Sequence, residues 1–246
     1  MKISDRIYLV ASGLLGCSIT HDNDCNVYAI DGGAEFALID SGCGIETDRL
    51  IENLRHDGIP ADRVTLLLLT HGHLDHSGGA RCLRDRLGLK VAASATTARA
   101  LEAGDEEAIS LGAAKRAGIY PAGIRFAACP VSIILRDGDS LPFGNCHIDV
   151  LATPGHSADL ISFLVRSAGR RELFSGDTVF HDGRILLQDV ADCHIPSYSH
   201  TLRRLAGLSI DGLYPGHLTW SEFRGQHHLE KACGFLDRLL LPPNLV

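Results

Sequence analysis

A mostly apolar run, Val64-Thr65-Leu66-Leu67-Leu68-Leu69, stops abruptly in Thr70-His71-Gly72-His73-Leu74-Asp75-His76. A short apolar run bounded by turn residues reads as a buried strand. Its end must then present four metal-binding side chains at the edge of a sheet. Ser77-Gly78-Gly79 follows, and a helix is predicted over Ser77–Leu87. Rigid elements thus hold the ligands, while the flanking loops are free to bind substrate. Two histidines one residue apart in an extended turn can point the same way. Asp75 and His76, one step further round, can face a second ion. Neutral imidazole nitrogen with carboxylate oxygen suits zinc, and also iron or manganese.

Three more candidates stand in similar settings. His156 lies in Leu151-Ala152-Thr153-Pro154-Gly155-His156-Ser157, Asp177 in Leu173-Phe174-Ser175-Gly176-Asp177-Thr178, and His217 in Leu213-Tyr214-Pro215-Gly216-His217. Each comes just after a glycine that ends a short apolar stretch, as a strand-end turn residue would. One isolated histidine is more often a packed or surface residue. Five histidines and two aspartates in ordered turn contexts are not explained that way, and seven ligands suit two metals sharing one carboxylate.

The order HxHxDH, TPGH, GD and PGH resembles the metallo-β-lactamase superfamily, in particular its hydrolase branch that includes glyoxalase II and the lactonases. Leu38-Ile39-Asp40-Ser41-Gly42 is similar to that superfamily's first motif. The likeness runs from about Ile7 to the C-terminal helix. Residue by residue, it implies that His71, His73 and His156 bind a first metal, that Asp75, His76 and His217 bind a second, and that Asp177 bridges both. Asp40 would orient ligands by hydrogen bonds from behind. The implied fold is an α/β protein, an αβ/βα sandwich of two mixed β-sheets flanked by helices.

Two metals about 3.5–4 Å apart can hold a bridging hydroxide, because metal binding lowers the pKa of water to about 7. The resemblance therefore implies a dinuclear hydrolase with two Zn2+ per chain, iron or manganese also suiting the donors. Its metal-bridging hydroxide would attack a small ester, thioester or lactone, with Asp75 and Asp177 as the catalytic carboxylates. Two dications outweigh Asp75, Asp177 and a hydroxide, so a polarised or anionic oxygen is welcome despite a formal chain charge of −7. Phosphodiesterase or weak β-lactamase activity is the alternative on the same site. Many true β-lactamases lack the bridging aspartate, which argues against antibiotic hydrolysis as the main role. A different class is a mononuclear iron oxidoreductase resembling the persulfide dioxygenases. Flavin-dependent di-iron members place a glutamate where His73 stands. Non-catalytic members tend to lose ligands, and the seven positions here are all kept. The segment after His217 is too short for the helical glutathione-binding region of glyoxalase II.

Composition narrows the rest. A chain of 246 residues with 45% hydrophobic and 22% charged residues can bury one large core, so a single domain over 1–246 is expected. No basic run favours nucleic acid, and no apolar run approaches the roughly 20 residues that span a bilayer. The expected partner is a small-molecule substrate. Met1-Lys2-Ile3-Ser4-Asp5-Arg6 lacks a leader's apolar core, which points to the cytoplasm. There the eight widely spaced cysteines are expected to be reduced and mostly buried.

Strands are expected at Arg6–Val10, Cys25–Ile30, Glu35–Asp40, Val64–Leu69, Lys90–Ala93, Val131–Leu135, His147–Ala152, Leu160–Val165, Glu172–Ser175 and Gly212–Tyr214, with a hairpin across Asp31-Gly32-Gly33. Helices are expected at Glu46–Asp57, Thr96–Ala103, Glu106–Ala117, Ser199–Ala206 and Gln226–Leu240. The stretch Thr96–Arg125 reads as plain cover, or else as a lid or a homodimer contact. In the loop Ala11–Asp24, Leu14 and Leu15 face either an apolar substrate part or the core, and His21 and Asp22 read as solvated. The family's use of a tyrosine near the metals makes Tyr120 and Tyr198 candidate substrate-polarising hydroxyls. His181, His194 and His200 read singly as surface or capping residues. His227 and His228 point about 100° apart on a helix, so they do not share an ion.

Overall fold

The computed structural model describes residues 1–245, which divide into a unit spanning Met1–Leu135 and a second beginning at Arg136. The first unit carries strands β1 (Ile7–Ala11), β2 (Val27–Asp31), β3 (Phe36–Ile39), β4 (Val64–Leu68), β5 (Lys90–Ser94) and β6 (Ile133–Leu135) in one six-stranded sheet of that order. Pairs β1–β2 and β2–β3 are antiparallel; β3–β4, β4–β5 and β5–β6 are parallel. The predicted hairpin joins β2 to β3. Its turn is held by Asp31 Oδ1, which accepts the Gly33 N–H at 2.7 Å, and Gly33 takes a φ of 93° that favours glycine. A central parallel strand is buried on both faces, so β4 reads as a continuous apolar run rather than an alternating one.

Helix α1 (Thr47–His56) turns Leu50, Ile51 and Leu54 inward. The helix predicted from Ser77 differs from the observed one. It begins earlier as α2 (Leu74–Ser77), breaks at Gly78-Gly79, and resumes as α3 (Ala80–Leu87). Asp75 and His76 therefore stand on a helical turn. Glycine is needed at the break because the backbone packs closely there. A Cβ at Gly78 would lie 2.3 Å from the Cys43 carbonyl oxygen, and one at Gly79 2.2 Å from that of Ser41.

Helix α4 (Ala95–Ala103) starts where Ser94 accepts the Thr97 N–H at 3.2 Å. The helix expected at 106–117 shrinks to α5 (Leu111–Arg116). Asp105 Oδ1 accepts the N–H groups of Glu107 and Ala108 instead, a local turn that competes with helix. Leu101, Ile109, Leu111, Tyr120 and Phe126 join Leu54, Leu67 and Val91 in one core, so much of this segment covers the sheet.

The second unit carries β7 (Ser140–Phe143), β8 (Cys146–Ala152), β9 (Ile161–Ser167), β10 (Arg170–Gly176) and β11 (Gly212–Pro215), ordered β11-β10-β9-β8-β7. Only β10–β11 is parallel. The sequence reading missed β7, because Pro142 argues against a strand. It is an edge strand, where proline is tolerated. Helix α6 (Ile195–Ala206) starts four residues before its predicted start, with His194 Nδ1 accepting the Ser197 N–H at 3.4 Å and Pro196 in the first turn. Helix α7 (Gly225–Leu236) ends before the exposed Leu239, Leu240 and Leu241. Leu202, Leu205, Leu213, Leu229 and Ala232 pack together in this unit's core. Both sheets are mixed and carry flanking helices, as expected of the fold class. Among the described residues no helix is long and apolar enough to cross a membrane.

Candidate metal centre

Each unit gathers its candidate donors at the carboxyl ends of its strands, where parallel sheets tend to bind ligands. In the first unit Asp40 follows β3, and Thr70 to His73 follow the parallel neighbour β4. Asp40 has a φ of 63°, a left-handed conformation that aspartate tolerates better than most residues. Its carboxylate is buried. Oδ1 accepts the Thr70 N–H at 2.8 Å, and Oδ2 lies 2.9 Å from Thr70 Oγ1 and 2.8 Å from His76 Nδ1. His71 Nδ1 lies 3.0 Å from the same Thr70 hydroxyl.

These contacts settle where the protons are. A carboxylate only accepts, so His76 donates from Nδ1 and Thr70 gives its one hydroxyl proton to Asp40. Thr70 Oγ1 must then accept from His71 Nδ1. In the neutral form both rings then carry the lone pair at Nε2, the form in which imidazole binds a metal. The rings are close: His71 to His73 is 4.6 Å between centroids and His71 to His76 is 4.1 Å. His76 Nε2 stands 3.5 Å from Asp75 Oδ2. Cys25, Asp40 and His76 each place a donor atom within 4.8 Å of the others. Burial pushes the Cys25 thiol up to about 12, so it stays protonated.

In the second unit β8, β10 and β11 run in one direction, so His156, Asp177 and His217 all follow strand ends on one edge. His156 Nε2 lies 3.5 Å and His217 Nε2 3.4 Å from the same oxygen, Asp177 Oδ2. His156 Nδ1 is 2.9 Å from the Leu186 carbonyl oxygen. A carbonyl only accepts, so this ring too holds its proton at Nδ1 and its lone pair at Nε2. Asp177 is 2% exposed and His156 1%.

The sequence profile of the Metallo-beta-lactamase superfamily matches residues 22–217, which contain every one of these positions. The chain belongs to the metallo-β-lactamase superfamily. It is 32% identical over 236 residues to the acyl-coenzyme A thioesterase MBLAC2 of Bos taurus, spanning 88% of this chain and 80% of that one. It is 28% identical over 168 residues to the hydroxyacylglutathione hydrolase GloC of Haemophilus influenzae, spanning 68% of each. The solved structure of BJP-1, a subclass B3 metallo-β-lactamase of Bradyrhizobium japonicum, superposes with a TM-score of 0.69 at 21% identity, covering 97% of this chain and 92% of that one. That likeness shows the shared superfamily fold.

Other residues singled out in the sequence have roles within their own units. Tyr198 does not offer its proton to a substrate. Its hydroxyl donates to the Asp177 carbonyl at 2.7 Å. Tyr120 is buried in the first unit, and desolvation, followed by the Asp75 charge, raises its pKa. His21 Nδ1 accepts the Asn23 N–H at 3.2 Å and lies 3.6 Å from Cys43 Sγ, so it is tied into its loop. Leu14 and Leu15 are exposed and do not pack on the core. His194 caps α6. His228 accepts the Asp182 N–H at Nδ1 (2.9 Å) and lies 2.7 Å from Ser221 Oγ through Nε2, a structural tie rather than a ligand. Sequence reasoning missed the parts played by Thr70 and Leu186. Thr70 stands inside the motif and could have been found from its place before His71. Leu186 acts through its main chain and leaves no side-chain signal.

Proposed function

We propose that this superfamily member is a metal-dependent hydrolase of small acyl thioesters, with esters and lactones as related substrates, working with two zinc ions per chain. One observation carries the reading. His71, His76 and His156 are each held as the Nδ1–H tautomer by a buried acceptor, so all three carry their lone pair at Nε2. Carboxylate and imidazole donors of this kind suit zinc. His71, His73 and His156 would hold one ion, and Asp75, His76 and His217 the other. Asp177 would serve both, a role supported by the near-equal approach of His156 and His217 to its Oδ2. Bound there, divalent ions supply a water of lowered pKa and Lewis acidity toward a carbonyl oxygen.

The chain's own groups do the rest. Asp40 and Thr70 fix the His76 and His71 rings from behind, and the Leu186 carbonyl fixes His156. The Asp75 carboxylate, 20% exposed, takes a proton from the attacking water and returns it to the leaving thiolate. The acyl–sulfur bond breaks, and water and thioester become a carboxylic acid and a thiol. The names of the bovine thioesterase and the bacterial hydroxyacylglutathione hydrolase favour an acyl substrate. The eight cysteines are free thiols, which supports a reducing compartment such as the cytoplasm.

The test is turnover of the zinc-loaded protein on one panel: an acyl-CoA thioester, an acyl-glutathione thioester, short and long acyl lactones, an aryl phosphodiester and a chromogenic β-lactam. A thioester is expected to dominate. Preference for the phosphodiester or the β-lactam, or oxygen uptake by an iron-loaded chain with no hydrolysis, would overturn the reading.

A further inference from the structure

Tyr198 lies in the first turns of α6, outside both donor sets, and is 2% exposed. Its hydroxyl donates to the main-chain carbonyl of Asp177 at 2.7 Å and accepts the Leu186 N–H at 3.2 Å. The carbonyl of that same Leu186 accepts from His156 Nδ1 at 2.9 Å. The body of Tyr198 presses on Gly155, the residue before His156. A Cβ at Gly155 would stand 2.6 Å from Tyr198 Cγ. The same helix grips this loop twice more. The His194 N–H donates to the Gly155 carbonyl at 2.8 Å, and Thr201 Oγ1 donates to that of Pro154 at 2.7 Å.

One phenol thus touches the backbone behind two donors. It reaches Asp177 directly and His156 through Leu186 on one side and Gly155 on the other. A buried donor or acceptor left unmade is costly, so loss of this hydroxyl acts on the main chain of Asp177 and on that of Leu186, whose carbonyl accepts from His156 Nδ1.

We infer that Tyr198 is a positioning residue for metal binding, setting the His156 imidazole and the Asp177 carboxylate at their working separation through the main chain of Asp177 and Leu186. This rests on the reading of His156 and Asp177 as metal donors. The inference departs from a substrate-polarising tyrosine, since the single hydroxyl proton is committed to a carbonyl inside the fold.

The test uses the chelated full-length protein, titrated with Co(II) and followed by the visible absorption bands that report cobalt's coordination. Tyr198→Phe keeps the ring and its packing and removes only the hydroxyl. It is expected to weaken cobalt binding about 10- to 100-fold, the usual loss when an outer partner of a ligand is removed, and to shift the bands. Leu202→Ala opens a cavity in the core on the same helix. It is expected to lower the melting temperature at least as far and to keep wild-type affinity and bands. A Tyr198→Phe variant with wild-type affinity and bands would overturn the inference, as would a Leu202→Ala variant that disturbs both equally. A wild-type chain that takes up no cobalt would overturn the metal reading itself, and the inference with it.

Discussion

The two units solve one problem, aiming imidazoles and carboxylates, by different means. In the first, the donors crowd into a single stretch from His71 to His76, and a side-chain hub of Asp40 and Thr70 steadies two rings at once. In the second, His156, Asp177 and His217 come from three separate strand ends, and the support runs through the main chain, by way of Leu186 and Tyr198. A contiguous motif fixes most of its geometry locally and needs one carboxylate from a neighbouring strand. Dispersed donors need an element from elsewhere, here α6, to hold their loops in register. Damage to the first hub should therefore fall on two histidines together, and damage to the second on the spacing between His156 and Asp177.

The heaviest blow to this contrast is Asp177→Ala. The oxygen that both His156 and His217 approach is lost. Bound metal should fall toward one per chain by elemental analysis, and turnover by orders of magnitude. Full metal and full activity would contradict a shared carboxylate.

Asp40→Asn comes next. It keeps the shape of the hub and removes the charge that accepts from His76 Nδ1. Metal affinity should fall toward the upper end of the 10- to 100-fold range, about 100-fold, read by competition with a chelating dye. Thr70→Val should cost about tenfold, since it removes the Thr70 hydroxyl from His71 Nδ1 and spares the Asp40–His76 bond. If the hub acts as one device, the double variant loses less than the product of the single losses. Strict additivity would mean that the two rings are held independently.

The smallest contrast concerns acid stability in the second unit. Burial first, then the neighbouring His181 and His227, pushes the His228 pKa from its ordinary 6.5 down to about 4. The unfolded chain therefore takes up this proton before the folded one does. Stability present above about pH 6.5 is lost as the pH falls through the window from 6.5 to 4. His228→Gln should flatten that limb of a melting-temperature profile, and an unchanged limb would assign the acid loss to other groups.

What the sequence revealed follows the same division. The 64–76 stretch announces both a strand and its candidate donors, because strand, turn and candidate ligands are contiguous. The helical turn at Leu74–Ser77 escaped, as did the close approach of Gly78 and Gly79 to the carbonyls of Cys43 and Ser41, which lie far off in the chain. The second unit's candidate donors were visible as glycine-led turn residues, but what supports them was not. Leu186 acts through its carbonyl, and Tyr198 looks in the sequence like any helical tyrosine. Strand β7 was hidden by Pro142, whose tolerance depends on an edge position that only the sheet order reveals. The shortening of α5 came from the Asp105 side chain winning the N–H groups of Glu107 and Ala108, a local contest that composition does not decide.

That the two donor sets serve one pair of ions is tested most directly by returning zinc to the chelated protein while following hydrolysis of an acyl-CoA thioester. Activity should be absent without metal, rise with added zinc, and reach its plateau at two equivalents per chain. Thioester hydrolysis that survives chelation, or a plateau at one equivalent, would contradict it.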